Sequence, residues 1–210
     1  MIEYKTKKIL VINGHPDPYS YNAALAQSYL EALHNTPNIE IRYLALHSLE
    51  FNPNLEFGYR KRTELEPDLL KALDDIKWSN HLVWIHPLWW VGLPALMKGF
   101  FDRAFLPGIA FNHISTTETI GLLKGRTARI ITTGGDLSQE VYTTVFNDSG
   151  LLQLKTGILE YCGVEVTDST FIGLMNNLSL EDRQNWLKEV QNYAIIDSKP
   201  HNVDICPKTL

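Results

Sequence analysis

Three short stretches of this chain combine residue types that can grip a ligand. The first, "NGHPDPYSYNAAL" (residues 13–25), ends an apolar run, turns at Gly14 and leads through Ser20, Tyr21 and Asn22 into a helical pattern. The first N–H groups of a helix have no intrahelical acceptor and sit at the positive end of its dipole, so such a stretch can cradle a phosphate. A plain helix cap would use Ser20 or Asn22 in the same way. The stretch matches neither GxGxxG nor GxxxxGKS/T, which takes support from Rossmann dinucleotide binding and from P-loop nucleotide hydrolysis. The second stretch, "HPLWWVGLP" (86–94), places two adjacent tryptophans in a loop. Neighbouring residues of an extended segment point to opposite faces, so at least one of Trp89 and Trp90 should line a cleft unless both cover a core edge. Trp90 is the expected ring-facing one, because it lies nearer Gly92, where backbone can approach a ligand closely.

The third stretch, "ITTGGD" (131–136), brings the hydroxyls of Thr132 and Thr133 and the backbone around Gly134 and Gly135 to a strand end. An ordinary tight turn explains it equally well when it is taken alone. A phosphate cradle, an aromatic wall and a polar edge describe a phosphorylated, planar heteroaromatic ligand. A flavin meets all three needs.

The elements that must position these stretches follow from periodicity. "KILVIN" (8–13), "IEIRYLAL" (39–46), "HLVWIH" (81–86), "TARIITT" (127–133) and "VEVTDSTFI" (164–172) read as strands. Helical patterns cover "YNAALAQSYLEALHN" (21–35), "PDLLKALDDIKWSN" (67–80), "PALMKGFFDRAF" (94–105), about 150–161, and "SLEDRQNWLKEVQNY" (179–193). Strands alternating with helices predict an α/β, flavodoxin-like fold: a five-stranded parallel, doubly wound sheet with helices on both faces. Ligands of such sheets lie beyond the C-terminal ends of the strands, where loops 14–21, 86–93 and 133–139 fall. The expected organisation is one domain over 1–193 and an arm or tail over 194–210. The segment 47–66 is long for a connection and is expected to act as a lid or a dimer arm.

Composition narrows the function classes. A chain of 210 residues, 44% hydrophobic and 20% charged, can bury a core without disulfides or a structural metal. With 19 Lys and Arg against 24 Asp and Glu, the net charge of −5 disfavours nucleic acid and anionic membrane surfaces. Cys162 and Cys206 form no CxxC and join no zinc pattern, which fits a reducing cytoplasm and no metal site. The N-terminal "MIEYKTKKILVINGHP" has too few consecutive apolar residues for a signal-peptide core, and no run is long enough to span a membrane.

The three stretches resemble the NAD(P)H:quinone oxidoreductase family of flavodoxin-like enzymes. "GHPDPYSYNAAL" is similar to the family's flavin phosphate loop, and "HPLWWVGLPALMKGFFDRAF" (86–105) to its most diagnostic segment. "ITTGG" and "GILEYCG" (157–163) follow in the expected order, so the resemblance spans roughly 8–192. It implies reduction of quinones or similar small acceptors by ping-pong hydride transfer, with NAD(P)H as co-substrate, and a homodimer whose partner roofs each site. Carried over by position, His15, Tyr21 and Asn22 would hold the flavin phosphate and ribityl region. Pro87, Leu88, Trp89, Trp90 and Val91 would bound the ring, with Thr132, Thr133, Gly134 and Gly135 at its pyrimidine end. Arg183, in "LSLEDRQNW" (178–186), falls where FAD-binding members place an arginine near the adenylate half, which implies FAD, with FMN as the alternative; a pairing with Glu181 or Asp182 on a solvated helix face would also use it. After TTGG the sequence departs from the mammalian pattern. Tyr142 is the one candidate for the family's catalytic tyrosine, and no histidine lies between His113 and His201. The rival functions are a flavodoxin-type electron carrier and a regulatory flavoprotein docked on a membrane transporter.

Overall fold

The computed structural model describes residues 6–199; Cys206 and the end of the expected tail lie outside them. In chain order the elements are β1 (Lys7–Asn13), α1 (Tyr21–Leu33), β2 (Ile39–Ala45), α2 (Pro67–Trp78), β3 (His81–Pro87), α3 (Ala95–Ala104), β4 (Phe111–His113) and β5 (Thr119–Gly121). They continue with β6 (Thr127–Gly134), α4 (Gln139–Phe146), α5 (Ser149–Leu154), a π-helical turn over Lys155–Glu160, β7 (Glu165–Gly173) and α6 (Leu180–Ser198). The five long strands form one parallel sheet in the order β2-β1-β3-β6-β7, the flavodoxin-like arrangement that the alternation predicts. The chain reverses its direction of sheet growth between β1 and β3, and the loops after those strands carry the first two ligand-gripping stretches.

The central strands are apolar on both faces because helices cover both. Along β1, Leu10 and Ile12 pack with Leu73 and Ile76 of α2 and Met97 and Phe100 of α3, whereas Ile9 and Val11 pack with Leu25 and Tyr29 of α1 and Val190 of α6. Strand β3 repeats this alternation with Leu82 and Trp84 on one side and Val83 and Ile85 on the other. Burying each such side chain contributes roughly 1.5–3 kcal/mol, so these two layers fix the height of the strand ends that carry the site.

Three features differ from the sequence reading. Helix α6 runs to Ser198 rather than Tyr193, because Val190, Ala194 and Asp197 extend its buried stripe at i, i+4 and i+7. The folded body therefore continues through the first residues assigned to the tail. A short antiparallel hairpin, β4–β5, and the helix α4 occupy stretches that periodicity left unassigned. The segment 49–66 is stapled to α3: the buried Arg103 guanidinium donates to the carbonyls of Asn52 and Glu64 and pairs with Glu66 at 2.8 Å. Pro53 packs so closely on Gly99 that no Cβ fits there. Among the described residues no helix is long and apolar enough to cross a membrane.

Candidate functional site

The strand ends are drawn together before any side chain contributes. The Gly14 N–H donates to Ile85 O at 2.8 Å and the Leu88 N–H to Thr133 O at 2.8 Å, extending the ladders past β1 and β3. Gly14 has no room for a Cβ, which would strike the Met97 side chain and come within 3.1 Å of His86 Cβ. Beyond it, the loop to α1 satisfies its own donors. The His15 N–H donates to Asn13 Oδ1 (3.0 Å), the Asp17 N–H to His15 Nδ1 (3.0 Å) and the Tyr19 N–H to Asp17 Oδ1 (2.9 Å). Ser20 is the N-cap of α1, its hydroxyl oxygen accepting from the Ala23 N–H. That leaves the Tyr21 and Asn22 N–H groups, the first two of the helix, directed out of its end. Because His15 Nδ1 accepts, the ring proton sits on Nε2 as a further donor. Burial lowers the His15 pKa, outweighing Asp17, so the ring is neutral near pH 7.

Asn22 is 3% exposed, and its Oδ1 accepts from Thr133 Oγ1 at 3.0 Å. Its Nδ2 has no partner among the described residues. A buried amide donor left unpaired costs about 1–3 kcal/mol, so this atom calls for an acceptor supplied from outside the chain. Tyr21 continues the same edge: its hydroxyl donates to Arg183 O at 2.6 Å, and the Arg183 guanidinium lies 5.4 Å from the Tyr21 ring. The guanidinium also donates to Met175 O and, at 3.4 Å, to Leu178 O, closing the loop between β7 and α6. Neither Glu181 nor Asp182 pairs with it: Asp182 completes the capping box with Ser179.

The tryptophans sit on a tight turn. Trp89 and Gly92 exchange both backbone hydrogen bonds at 3.0 Å, and the two residues between them, Trp90 and Val91, have φ of 53° and 56°. This is the pattern of a type I′ hairpin turn, whose usual residues are Asn and Gly. A β-branched residue at positive φ is a true outlier. The turn reverses the expected roles. Trp90 projects fully into solvent, whereas Trp89, 44% exposed, meets the His15 ring edge-on at 5.5 Å. Trp89 is therefore the tryptophan beside the loop that leads into α1, and Gly92 has a negative φ and no close contact that a Cβ would violate.

At the third stretch the threonine hydroxyls turn inward. Thr133 bonds Asn22, and Thr132 Oγ1 lies 3.2 Å from Nε2 of the fully buried His86. His86 Nδ1 is 3.0 Å from Pro87 O and donates to it, so Nε2 accepts from Thr132. His86, at the end of the third expected strand, ties β3 to β6 where the Pro87–Val91 loop begins. A polar edge for a ligand then falls to the backbone at Gly134 and Gly135. Gly135 has φ of 29° and open space around it, whereas Gly134 is glycine because the Phe171 ring fills its side-chain position.

Tyr142 lies inside the fold. The expected catalytic tyrosine is 1% exposed, its ring stacks on Phe171 at 4.5 Å, and its hydroxyl accepts from the Leu151 N–H at 2.8 Å. A phenol closed in this way offers no surface to a substrate. A cavity of about 660 Å³ lies away from the loops above, running along α3 past Phe101, Phe105, Phe111 and Tyr161. Cys162 borders it as a core thiol whose pKa burial pushes up to about 12.

Comparison with known proteins agrees with this fold. The chain is 24% identical over 188 residues to NAD(P)H dehydrogenase [quinone] 1 of Rattus norvegicus, covering 79% of this chain and 68% of the relative. A crystal structure from Streptococcus mutans superposes with a TM-score of 0.76 at 31% identity, covering 89% of this chain and 98% of the other. An FMN-dependent NADH-azoreductase from Bacillus anthracis, solved in complex with FMN, superposes with a TM-score of 0.72 at 21% identity, over 92% of this chain and 100% of that one. The sequence pattern of the family described as having a flavodoxin-like fold matches residues 7–194, and the chain belongs to that family.

Proposed function

We propose that this protein is a flavin-dependent NAD(P)H oxidoreductase that reduces quinones or similar small acceptors. The observation that carries the reading is the unpaired, buried Asn22 Nδ2 beside the free N–H groups of α1, with Trp89 and His15 forming the adjoining wall. The Tyr21 and Asn22 N–H groups, the Ser20 hydroxyl and His15 Nε2 would hold a phosphate, and Pro87, Leu88 and Trp89 would back a flat ring. Bound there, a flavin supplies hydride acceptance from NAD(P)H and electron delivery to the acceptor. The chain's part is to orient the ring and to leave one face open to both substrates in turn.

The cofactor we assign is FMN rather than the FAD implied by Arg183. That guanidinium is engaged by two carbonyls and the Tyr21 ring, which makes it a clasp of the β7–α6 loop. The FMN of the similar azoreductase supports the same choice. Titrating the apo protein with FMN and FAD tests both points. Trp89→Ala is expected to lose on the order of 1–3 kcal/mol of flavin affinity, the scale of an aromatic wall. Arg183→Ala is expected to lower the melting temperature without changing the preference between the two flavins. Equal affinity in Trp89→Ala and wild type would remove the wall, and selective loss of FAD in Arg183→Ala would restore the FAD assignment.

The working form we propose is a homodimer. Trp90 at the turn tip and Leu152 on α5 are exposed apolar side chains that a second copy would cover. Light scattering at micromolar concentration should give twice the chain mass, and a clean monomer would overturn this.

A further inference from the structure

Two turns with left-handed backbone meet beside the tryptophan wall. One is the Trp90–Val91 tip; the other is the joint between α4 and α5, where Asn147 and Asp148 have φ of 49° and 50°. They are linked directly, because the Ser149 hydroxyl donates to Val91 O at 3.3 Å. They are also packed without slack: a Cβ on Gly150 would lie 2.9 Å from Val91 O and would strike Leu88. Backbone held in such conformations persists only where its surroundings over-determine it.

What holds α5 under the turn is Tyr142. The N-cap position of α5 is Asp148, but its carboxylate accepts from Thr143 Oγ1 at 3.0 Å and makes no cap hydrogen bond to the helix. The donors of the first turn would be orphaned. The Tyr142 hydroxyl takes over, accepting from the Leu151 N–H at 2.8 Å with the Gly150 N–H alongside. The ring that carries this hydroxyl is itself fixed by stacking on Phe171, whose edge fills the space beside Gly134. A continuous line of contacts therefore runs from the sheet through Phe171, Tyr142 and the start of α5 to the Val91 carbonyl.

We propose that Tyr142 is a positioning residue for flavin binding: its hydroxyl replaces the missing cap of α5, and the helix start so fixed props the Trp89–Gly92 turn and holds Trp89 against His15. The inference rests on the flavin reading of the site. It assigns the tyrosine a place in the machinery without any contact to substrate, and it makes Ser149, an exposed residue, part of the same prop.

The test uses the apo forms of wild type, Tyr142→Phe, Ser149→Ala and the double variant, titrated with FMN and followed by flavin fluorescence, with urea unfolding in parallel. Tyr142→Phe keeps the stacked ring and loses only the hydroxyl. Each single variant should bind FMN roughly 3- to 10-fold more weakly, the range of one lost hydrogen bond. The double variant should bind no more weakly than the worse single one, since both act through the Val91 prop. The pH profile of turnover should keep its limbs in Tyr142→Phe. Lower stability with unchanged FMN affinity in both singles would reduce Tyr142 to packing, and a lost pH limb would make it a proton-transfer group; either overturns the proposal. Should Tyr142→Phe fail to fold, Ser149→Ala on the surface decides alone. Wild-type protein that binds no flavin would instead bring down the parent reading, and this inference with it.

Discussion

Asp197→Ala is expected to destabilise the protein by about 3–5 kcal/mol, the cost of stripping a buried ion pair of one partner. Asp197 lies near the end of α6, and its carboxylate accepts from Arg129 Nε at 2.6 Å, Arg129 Nη2 at 2.9 Å and the Tyr29 hydroxyl at 2.9 Å. His81 Nε2 stands 3.3 Å away. Burial alone would raise the Asp197 pKa, but hydrogen bonds and charge from His81 and Arg129 outweigh it and hold the carboxyl well below the usual range. Without Asp197, among the described residues Arg129 keeps the half-exposed Asp168 and the face of Tyr193, and Tyr29 keeps no acceptor. Urea unfolding of the variant measures the loss. A loss under about 1 kcal/mol, as for a surface pair, would show that the cluster is solvated in solution. Because the cluster sits at the N-terminal ends of β3 and β6, opposite the loops proposed to hold the flavin, any flavin affinity of the folded variant should stay close to that of wild type.

The second large effect is expected in acid. His86 is fully buried, and desolvation lowers its pKa from 6.5 to about 4 against the opposing hydrogen bond to Pro87 O. Above pH 6.5 the ring is neutral in both folded and unfolded chains and adds no pH dependence. Between about 6.5 and about 4 only the unfolded chain takes up the proton, so stability falls as pH falls, by about 3 kcal/mol across the window. His86→Gln cannot take up this proton, so its stability should decline less over the same interval, whatever its starting value. Unfolding midpoints at half-unit pH steps make the comparison. Parallel slopes in wild type and variant would show that other groups carry the acid response.

The central strands β1 and β3 were legible as compact apolar runs bounded by turn residues, and the edge strands β2 and β7 by alternation of β-formers with polar residues, as suits strands covered on fewer sides. Helix α4 was not, since Val141, Thr143, Thr144 and Val145 are β-branched and weak helix formers; the cap at Ser138 and the buried Tyr142 hold it in place. The tryptophan turn was misread for a related reason. Residue preferences place glycine at positive φ, but here Trp90 and Val91 take those positions and Gly92 does not, which exchanges the directions of the two rings. The start of α1 was legible down to its Ser20 cap, because cap and donors are local. The hydroxyls of Thr132 and Thr133 were assigned to a ligand because sequence cannot show that His86 and Asn22 reach them first. Asp197 lies beyond the helical pattern that ended at Tyr193, so periodicity could not place it against Arg129 across the fold.

The Arg103 staple has a consequence for what this scaffold can carry. One guanidinium fastens both feet of the 49–66 segment, at Asn52 on one side and Glu64 and Glu66 on the other, so the ends of the loop are already closed whatever lies between them. Its tip, with exposed Tyr59, Arg60, Lys61 and Arg62, can then be exchanged or lengthened at the slow entropic rate of a tethered loop, about 0.6 kcal/mol per doubling. The same architecture can thus present different surfaces at that edge while the sheet and its ligand-gripping loops stay in register.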